Sequence, residues 1–66
     1  MIIVANGKKR AVRDGAMVSD LLQELKLEPL QVFIEHNGAP LEREDFGTTA
    51  LREGDKLEIA QMVGGG

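Results

Sequence analysis

Cysteine is absent from this chain of 66 residues. That excludes disulfide staples, thiolate metal sites and cysteine nucleophiles, and it fits a reducing compartment. Tryptophan and tyrosine are absent as well, and Phe33 and Phe46 are the only aromatics. Two rings make no platform for stacking nucleic-acid bases. Cations are in the minority, with eight Lys and Arg against eleven Asp and Glu for a formal charge of −3. Nucleic-acid binding rests on Lys and Arg contacts to phosphate, so no nucleic-acid partner is expected. No apolar run approaches the length of a membrane span, and no secretory leader is visible ahead of the first strand. The expectation is a soluble, cytoplasmic protein with no membrane partner.

The chain is equally short of catalytic groupings. His36 is the only histidine and Ser19 the only serine. His36 lies beside a predicted turn, where a solvated or turn-bonding role suits it. A metal site needs three or four His, Cys or carboxylate ligands at regular spacing, and none is present. Ser19 falls at a helix start, not in a nucleophile elbow. Glu42, Glu44 and Asp45 are close together, but on a short exposed stretch with nothing to shift their pKa. The glycines at the end of the chain follow a strand but open no helix, so they are no phosphate loop. A domain this small buries only about 60% of the surface of its unfolded chain and encloses no sizeable pocket. These absences point away from an enzyme and from a bound cofactor.

What is present is a compact pattern. Met1 to Ala5 is an apolar, β-branched run that reads as a strand. Asn6-Gly7 is the preferred pair for a type I′ turn, and Lys8 to Arg13 returns as a more polar strand. Its Lys8-Lys9-Arg10 triplet reads as a solvated strand face. After Asp14-Gly15, the residues Val18, Leu21, Leu22 and Leu25 fall at i, i+3, i+4 and i+7, the stripe of an amphipathic helix. Ser19 and Asp20 lie at its start, positioned to answer free N–H groups, and Lys26 lies near its end. Glu28-Pro29 closes the segment. Val32 to His36 is a third strand, followed by a second tight turn at Asn37-Gly38. Ala39-Pro40-Leu41 is an extended piece whose proline suits a sheet edge. Glu42 to Asp45 reads as a charged surface turn, with Phe46 folding back onto the core. Gly54-Asp55 turns the chain into a final strand, Lys56 to Val63.

The strands and helix form two layers, with one helix packed across one face of a mixed sheet of four to five strands, an α+β class. Counting by two places Ile3, Ala5, Val32, Ile34, Leu57 and Ile59 toward the helix. Ile2, Val4, Phe33 and Met62 then lie on the opposite face, where an exposed apolar cluster next to the tail would dock a partner. The chain divides into a folded domain over residues 1–63 and a flexible tail over residues 64–66. Val63-Gly64-Gly65-Gly66 reaches roughly 13 Å at full extension, at about 3.3 Å per residue. Without side chains at 64–66 it is thin enough to thread a narrow channel and present a terminal carboxylate.

The opening Met1-Ile2-Ile3-Val4-Ala5-Asn6-Gly7, the helix Val18 to Leu25, Glu35-His36-Asn37-Gly38, Glu53-Gly54-Asp55-Lys56-Leu57-Glu58-Ile59 and the closing Val63-Gly64-Gly65-Gly66 together resemble the ThiS family. These are sulfur carriers of thiamin biosynthesis with the ubiquitin-like β-grasp fold. The resemblance spans essentially the whole chain and implies chemistry on Gly66, with Val63, Gly64 and Gly65 threading a partner's active site. An E1-like adenylating enzyme of the ThiF type would use ATP and magnesium to adenylate the Gly66 carboxylate. A sulfur donor would convert it to a thiocarboxylate, and a thiazole synthase of the ThiG type would receive the sulfur. Two positions depart from the family pattern: Met17 replaces a threonine that often caps the helix, and His36 stands where arginine is common. The same tail would also suit the small subunit of molybdopterin synthase, a ubiquitin-like protein modifier, or an interaction domain with an inert end.

Overall fold

The computed structural model describes residues 1–62. Five strands appear in it: β1 (Ile2–Ala5), β2 (Lys8–Ala11), β3 (Val32–His36), β4 (Ala39–Leu41) and β5 (Lys56–Gln61). One helix, α1 (Val18–Glu24), follows β2, and two short 3-10 turns cover Pro29–Gln31 and Arg43–Asp45. The strands form one sheet in the order β2-β1-β5-β3-β4. β1 and β5 run parallel at its centre, and every other pairing is antiparallel. This is the mixed sheet with one helix expected from the sequence. The Pro40 strand lies at an edge, where a missing N–H is harmless.

Both Asn-Gly pairs make tight turns, with φ of 50° and 79° at Asn6 and Gly7 and of 52° and 86° at Asn37 and Gly38. Positive φ at both central residues is what a type I′ hairpin requires. Each asparagine then does something its turn does not require. Asn6 Nδ2 donates to the Ile59 carbonyl at 3.0 Å, and Asn6 Oδ1 accepts from Ile59 N–H at 2.7 Å. The side-chain amide stands in for a peptide unit and continues the β1–β5 pairing after β1 has ended. Asn37 Oδ1 accepts from Lys56 N–H at 2.8 Å, while Asn37 N–H donates to the Lys56 carbonyl at 2.8 Å. Two turns from different parts of the chain thus hold β5 from both sides.

The core lies between the helix and one face of the sheet. Ile3, Val18, Leu21, Leu22, Val32 and Leu57 are essentially solvent-free, and Ala5, Ile34, Phe46 and Ile59 are buried with them. The period-two assignment of the helix-facing residues is correct. Each fully buried aliphatic side chain contributes about 1.5–3 kcal/mol of transfer free energy, and this packing holds a seven-residue helix too short to persist alone.

The start of α1 agrees with the sequence reading in Met17 and Asp20, while its other acceptors come from elsewhere in the chain. The residue preceding the helix is Met17, which provides no side-chain cap. The loop after Phe46 supplies acceptors instead: Val18 N–H donates to the Thr49 carbonyl at 3.0 Å and Ser19 N–H to the Phe46 carbonyl at 2.9 Å. Asp20 reaches back to accept from Met17 N–H at 2.8 Å. At the other end the helix stops before Lys26, which takes φ of 59°. Lys26 N–H donates to the Gln23 carbonyl and Leu27 N–H to the Leu22 carbonyl, the paired bonds of a Schellman cap. Lysine is an unusual residue there, because a Cβ costs about 1 kcal/mol in left-handed backbone. Lys26→Gly is expected to raise stability by about 0.5–1 kcal/mol, with Lys26→Ala close to the parent, since only glycine relieves that cost. Urea unfolding midpoints of the three proteins check this.

Candidate functional site

β5 is last in the chain and central in the sheet, so it carries whatever follows it on the best-supported strand of the fold. Its pairing with β3 continues to Val32↔Gln61, and Met62 N–H donates to the Gln31 carbonyl at 2.8 Å. The backbone is therefore anchored up to Met62. Val63, Gly64, Gly65 and Gly66, named from the sequence as the reactive tail, lie outside the described residues.

Side chains next to this exit are apolar and exposed. Phe33 sits opposite Ala60 in the register and is 61% exposed on the face away from the helix, while Met62, 41% exposed, follows the end of β5 and lines a hollow with Lys26, Leu27 and Gln31. Leu30 adds a side chain that is 67% exposed at the same end of the sheet. Sequence reading missed it because it precedes the strand, in the 3-10 turn beginning at Pro29, where no period-two count applies. Ile2 and Val4 share the outer face, but not the patch. β1 runs parallel to β5 and pairs Val4 with Lys56. Four residues along β5 separate Lys56 from Ala60, roughly 13 Å at 3.3 Å per residue. The single cluster of Ile2, Val4, Phe33 and Met62 expected from the sequence divides, because strand direction sends Ile2 to the opposite end from Met62.

A groove of about 520 Å³ follows the outer surface at Phe33, Glu35, Pro40, Glu58 and Ala60. Glu35 and Glu58 face each other directly across β3 and β5. Like charges in that position are unfavourable, and Arg43, which lines the same groove, and Lys56, two residues before Glu58, bring positive charge to it.

The single histidine belongs to the far end of β5. His36 Nε2 lies 2.9 Å from Asp55 Oδ2, Asn37 Nδ2 donates to Asp55 Oδ1 at 3.1 Å, and Arg52 N–H donates to Asp55 Oδ2 at 2.9 Å. Asp55 is buried. Burial pushes its carboxyl pKa up, but the bonds from His36, Asn37 and Arg52 outweigh this and hold it below the ordinary 3.8. His36 thus fastens the start of β5 and is away from the exit. Among the described residues no three His, Asp or Glu side chains converge as a metal would need. No helix of the described residues is long and apolar enough to cross a membrane.

A mixed five-stranded sheet with its terminal strands parallel at the centre and one helix across it defines the ubiquitin-like β-grasp. Comparison with known proteins narrows this. Residues 3–66 match the ThiS family, and the chain belongs to it. The crystal structure of the thiamine biosynthesis protein ThiS from Geobacter metallireducens superposes with a TM-score of 0.83 at 38% identity, covering all of both chains. The solution structure of a thiamine biosynthesis protein from the same organism gives 0.81 at 38% identity, covering all of this chain and 88% of that one. Two proteins described as thiazole synthase are similar over all 66 residues, at 35% identity in Paramagnetospirillum magneticum and 33% in Magnetococcus marinus. The chain spans about a fifth of the length of these curated relatives (20% in each).

Asp55 gives this site a pH signature. Its folded-state pKa is depressed, so its stabilising contribution is present above pH 3.8 and is lost as pH falls through the lower folded value. Asp55→Asn is expected to lower stability at neutral pH by about 1–3 kcal/mol, because an amide turns a donor toward donors. It should also flatten the acid limb of the stability curve below pH 3.8. Urea midpoints from pH 2 to pH 7 check both effects, pH 7 being well above the ordinary carboxylate range near 4.

Proposed function

We propose that this chain is a sulfur carrier whose working group is the Gly66 carboxylate. The observation that carries the reading is the ThiS-family match through residue 66, on a fold that anchors its last strand as far as Met62. An E1-like enzyme of the ThiF type adenylates the carboxylate: a carboxylate oxygen bonds to the α-phosphorus of ATP, held with magnesium on that enzyme, and pyrophosphate leaves. The terminal sulfur of a donor persulfide then attacks the acyl carbon and AMP departs. A thiol cleaves the resulting acyl disulfide, leaving the thiocarboxylate for a ThiG-type thiazole synthase.

The elementary chemistry agrees. A terminal carboxyl has a pKa of about 3.5 and is ionised at neutral pH, ready to attack phosphorus. Activation splits a difficult substitution into two easier ones. This chain supplies the acyl group, and the catalytic groups, ATP and magnesium belong to the partner; it is a carrier and not an enzyme, working in the cytoplasm. The resemblance to a fifth of two proteins described as thiazole synthase supports that synthase as a partner. Fusion into one polypeptide and binding between two polypeptides satisfy the same need for proximity. The exposed Phe33 and Met62 fit the docking surface beside the tail, with Ile2 and Val4 at its far margin.

Gly66→Ala tests the reading. A methyl group next to the acyl carbon obstructs approach to it, so thiocarboxylate formation with activating enzyme, ATP and a sulfur donor should fall by an order of magnitude or more. The urea midpoint should stay at the parent value. A residue added after Gly66 should abolish the product, since the carboxylate becomes an amide. Unchanged thiocarboxylate yield in either variant contradicts the proposal, and lysine-linked adducts in its place would indicate a protein modifier. A parent that forms thiocarboxylate but binds only the large subunit of molybdopterin synthase would be the carrier of that pathway.

A further inference from the structure

β5 is an interior strand, yet its last residues have a neighbour on one side only. Toward β3 the pairing runs to Gln61 and Met62. Toward β1 the strand register ends at Ala5↔Leu57, and the Asn6 amide extends it to Ile59. Among the described residues nothing pairs with the Gln61 backbone N–H and C=O on that side, whereas those of Ala60 point to Phe33 on β3. An unpaired strand edge is a template for an extended segment of another chain.

In line with the edge, on the helix side, is a cleft of about 470 Å³ bounded by Asn6, Lys8, Arg10, Leu25, Leu27 and Gln61. Lys8 pairs with Ala5 and Arg10 with Ile3. Ala5 and Ile3 are buried under the helix, so both cations share that face, while Phe33 occupies the other. Arg10 is incompletely partnered. Its Nη2 is 3.6 Å from Glu24 Oε1, and its Nε–H is shielded from solvent with no acceptor among the described residues. The charge is also segregated: residues 1–13 contain Lys8, Lys9, Arg10 and Arg13 with no Asp or Glu, in a chain of net charge −3. The cleft therefore offers backbone hydrogen-bonding groups, positive charge and an apolar wall within one extended path.

We propose that this cleft receives an extended acidic segment of the thiazole synthase. The segment's backbone pairs with the open β5 edge at Gln61, and a carboxylate side chain lies against Lys8 and Arg10. An apolar side chain two residues along, on the same face, packs on Leu25 and Leu27. The exit strand is then gripped from both faces of the sheet while the tail is inserted. This rests on the partner reading above and adds the chemistry of the contact.

Binding of separately purified thiazole synthase to the full chain, measured by calorimetry in low and in high salt, tests it. Arg10→Glu and Lys8→Glu should each weaken binding at least tenfold in low salt and reduce its salt dependence. The milder Arg10→Gln should weaken it several-fold, and circular dichroism should show all three folded. Arg52→Glu, at the opposite end of β5, should bind within twofold of the parent. Equal binding by the Arg10 and Arg52 variants overturns the proposal and leaves the lysines as guards of an edge strand. So does a shift of the Arg10 Nε–H resonance on deleting residues 63–66 with no synthase present, which would make the chain's own tail the occupant. A parent that forms thiocarboxylate but does not bind the synthase overturns the partner assignment along with this proposal. A parent that binds the synthase but forms no thiocarboxylate contradicts the carrier chemistry and leaves the cleft proposal standing.

Discussion

The clamping of β5 by two asparagine side chains is the constraint on which the rest of this structure depends. β5 must be central, because it is the strand that leads to the tail, yet β1 is too short to accompany it to the end. Asn6 supplies the missing peptide-like pair at Ile59, and Asn37 secures the opposite end at Lys56. Both side chains are available because both residues sit in left-handed backbone at the first position of a tight turn. Turn geometry, strand pairing and placement of the exit are one arrangement. Asp55 completes it by collecting His36, Asn37 and the Arg52 N–H at the strand's start.

Much of this was legible in the sequence, for identifiable reasons. Strand faces follow a period of two, so Ile3, Val32, Ile34, Leu57 and Ile59 could be assigned inward without knowing which strands are neighbours. Asn-Gly specifies a turn through its backbone requirement alone. The glycine tail was conspicuous because nothing else in the chain offered chemistry. Information that depends on tertiary neighbours was hidden. The clamping role of Asn6 involves a residue more than fifty positions away. The acceptors that satisfy the helix start come from the loop after Phe46, and no cap residue announces them. Asp55 reads as a surface turn residue, and only the fold brings its donors together. The division of the expected outer patch required knowing that β1 and β5 run parallel.

The placement of chemistry follows from this construction. The described strand is anchored as far as Met62, and the glycines begin two residues later in the sequence. One face at the exit is apolar, through Phe33 and Ala60; the other has Lys8 and Arg10 beside Gln61, whose outward backbone groups have no partner among the described residues. The His36 cluster, in which hydrogen bonds hold the Asp55 carboxyl pKa below its ordinary value, stabilises the distant end of the same strand. Buried polar groups here serve the fold, while the exposed end of β5 is where the proposed transfer chemistry would be presented.

The central claim is that the carried sulfur is bonded to the carbonyl carbon of Gly66. Top-down mass spectrometry of the full chain after reaction with the activating enzyme, ATP and a sulfur donor addresses it most directly. The account predicts replacement of one oxygen by sulfur, with the added mass confined to fragments containing Gly66. Sulfur located in fragments lacking Gly66, or an unmodified chain under conditions where the enzyme consumes ATP with it, would contradict it.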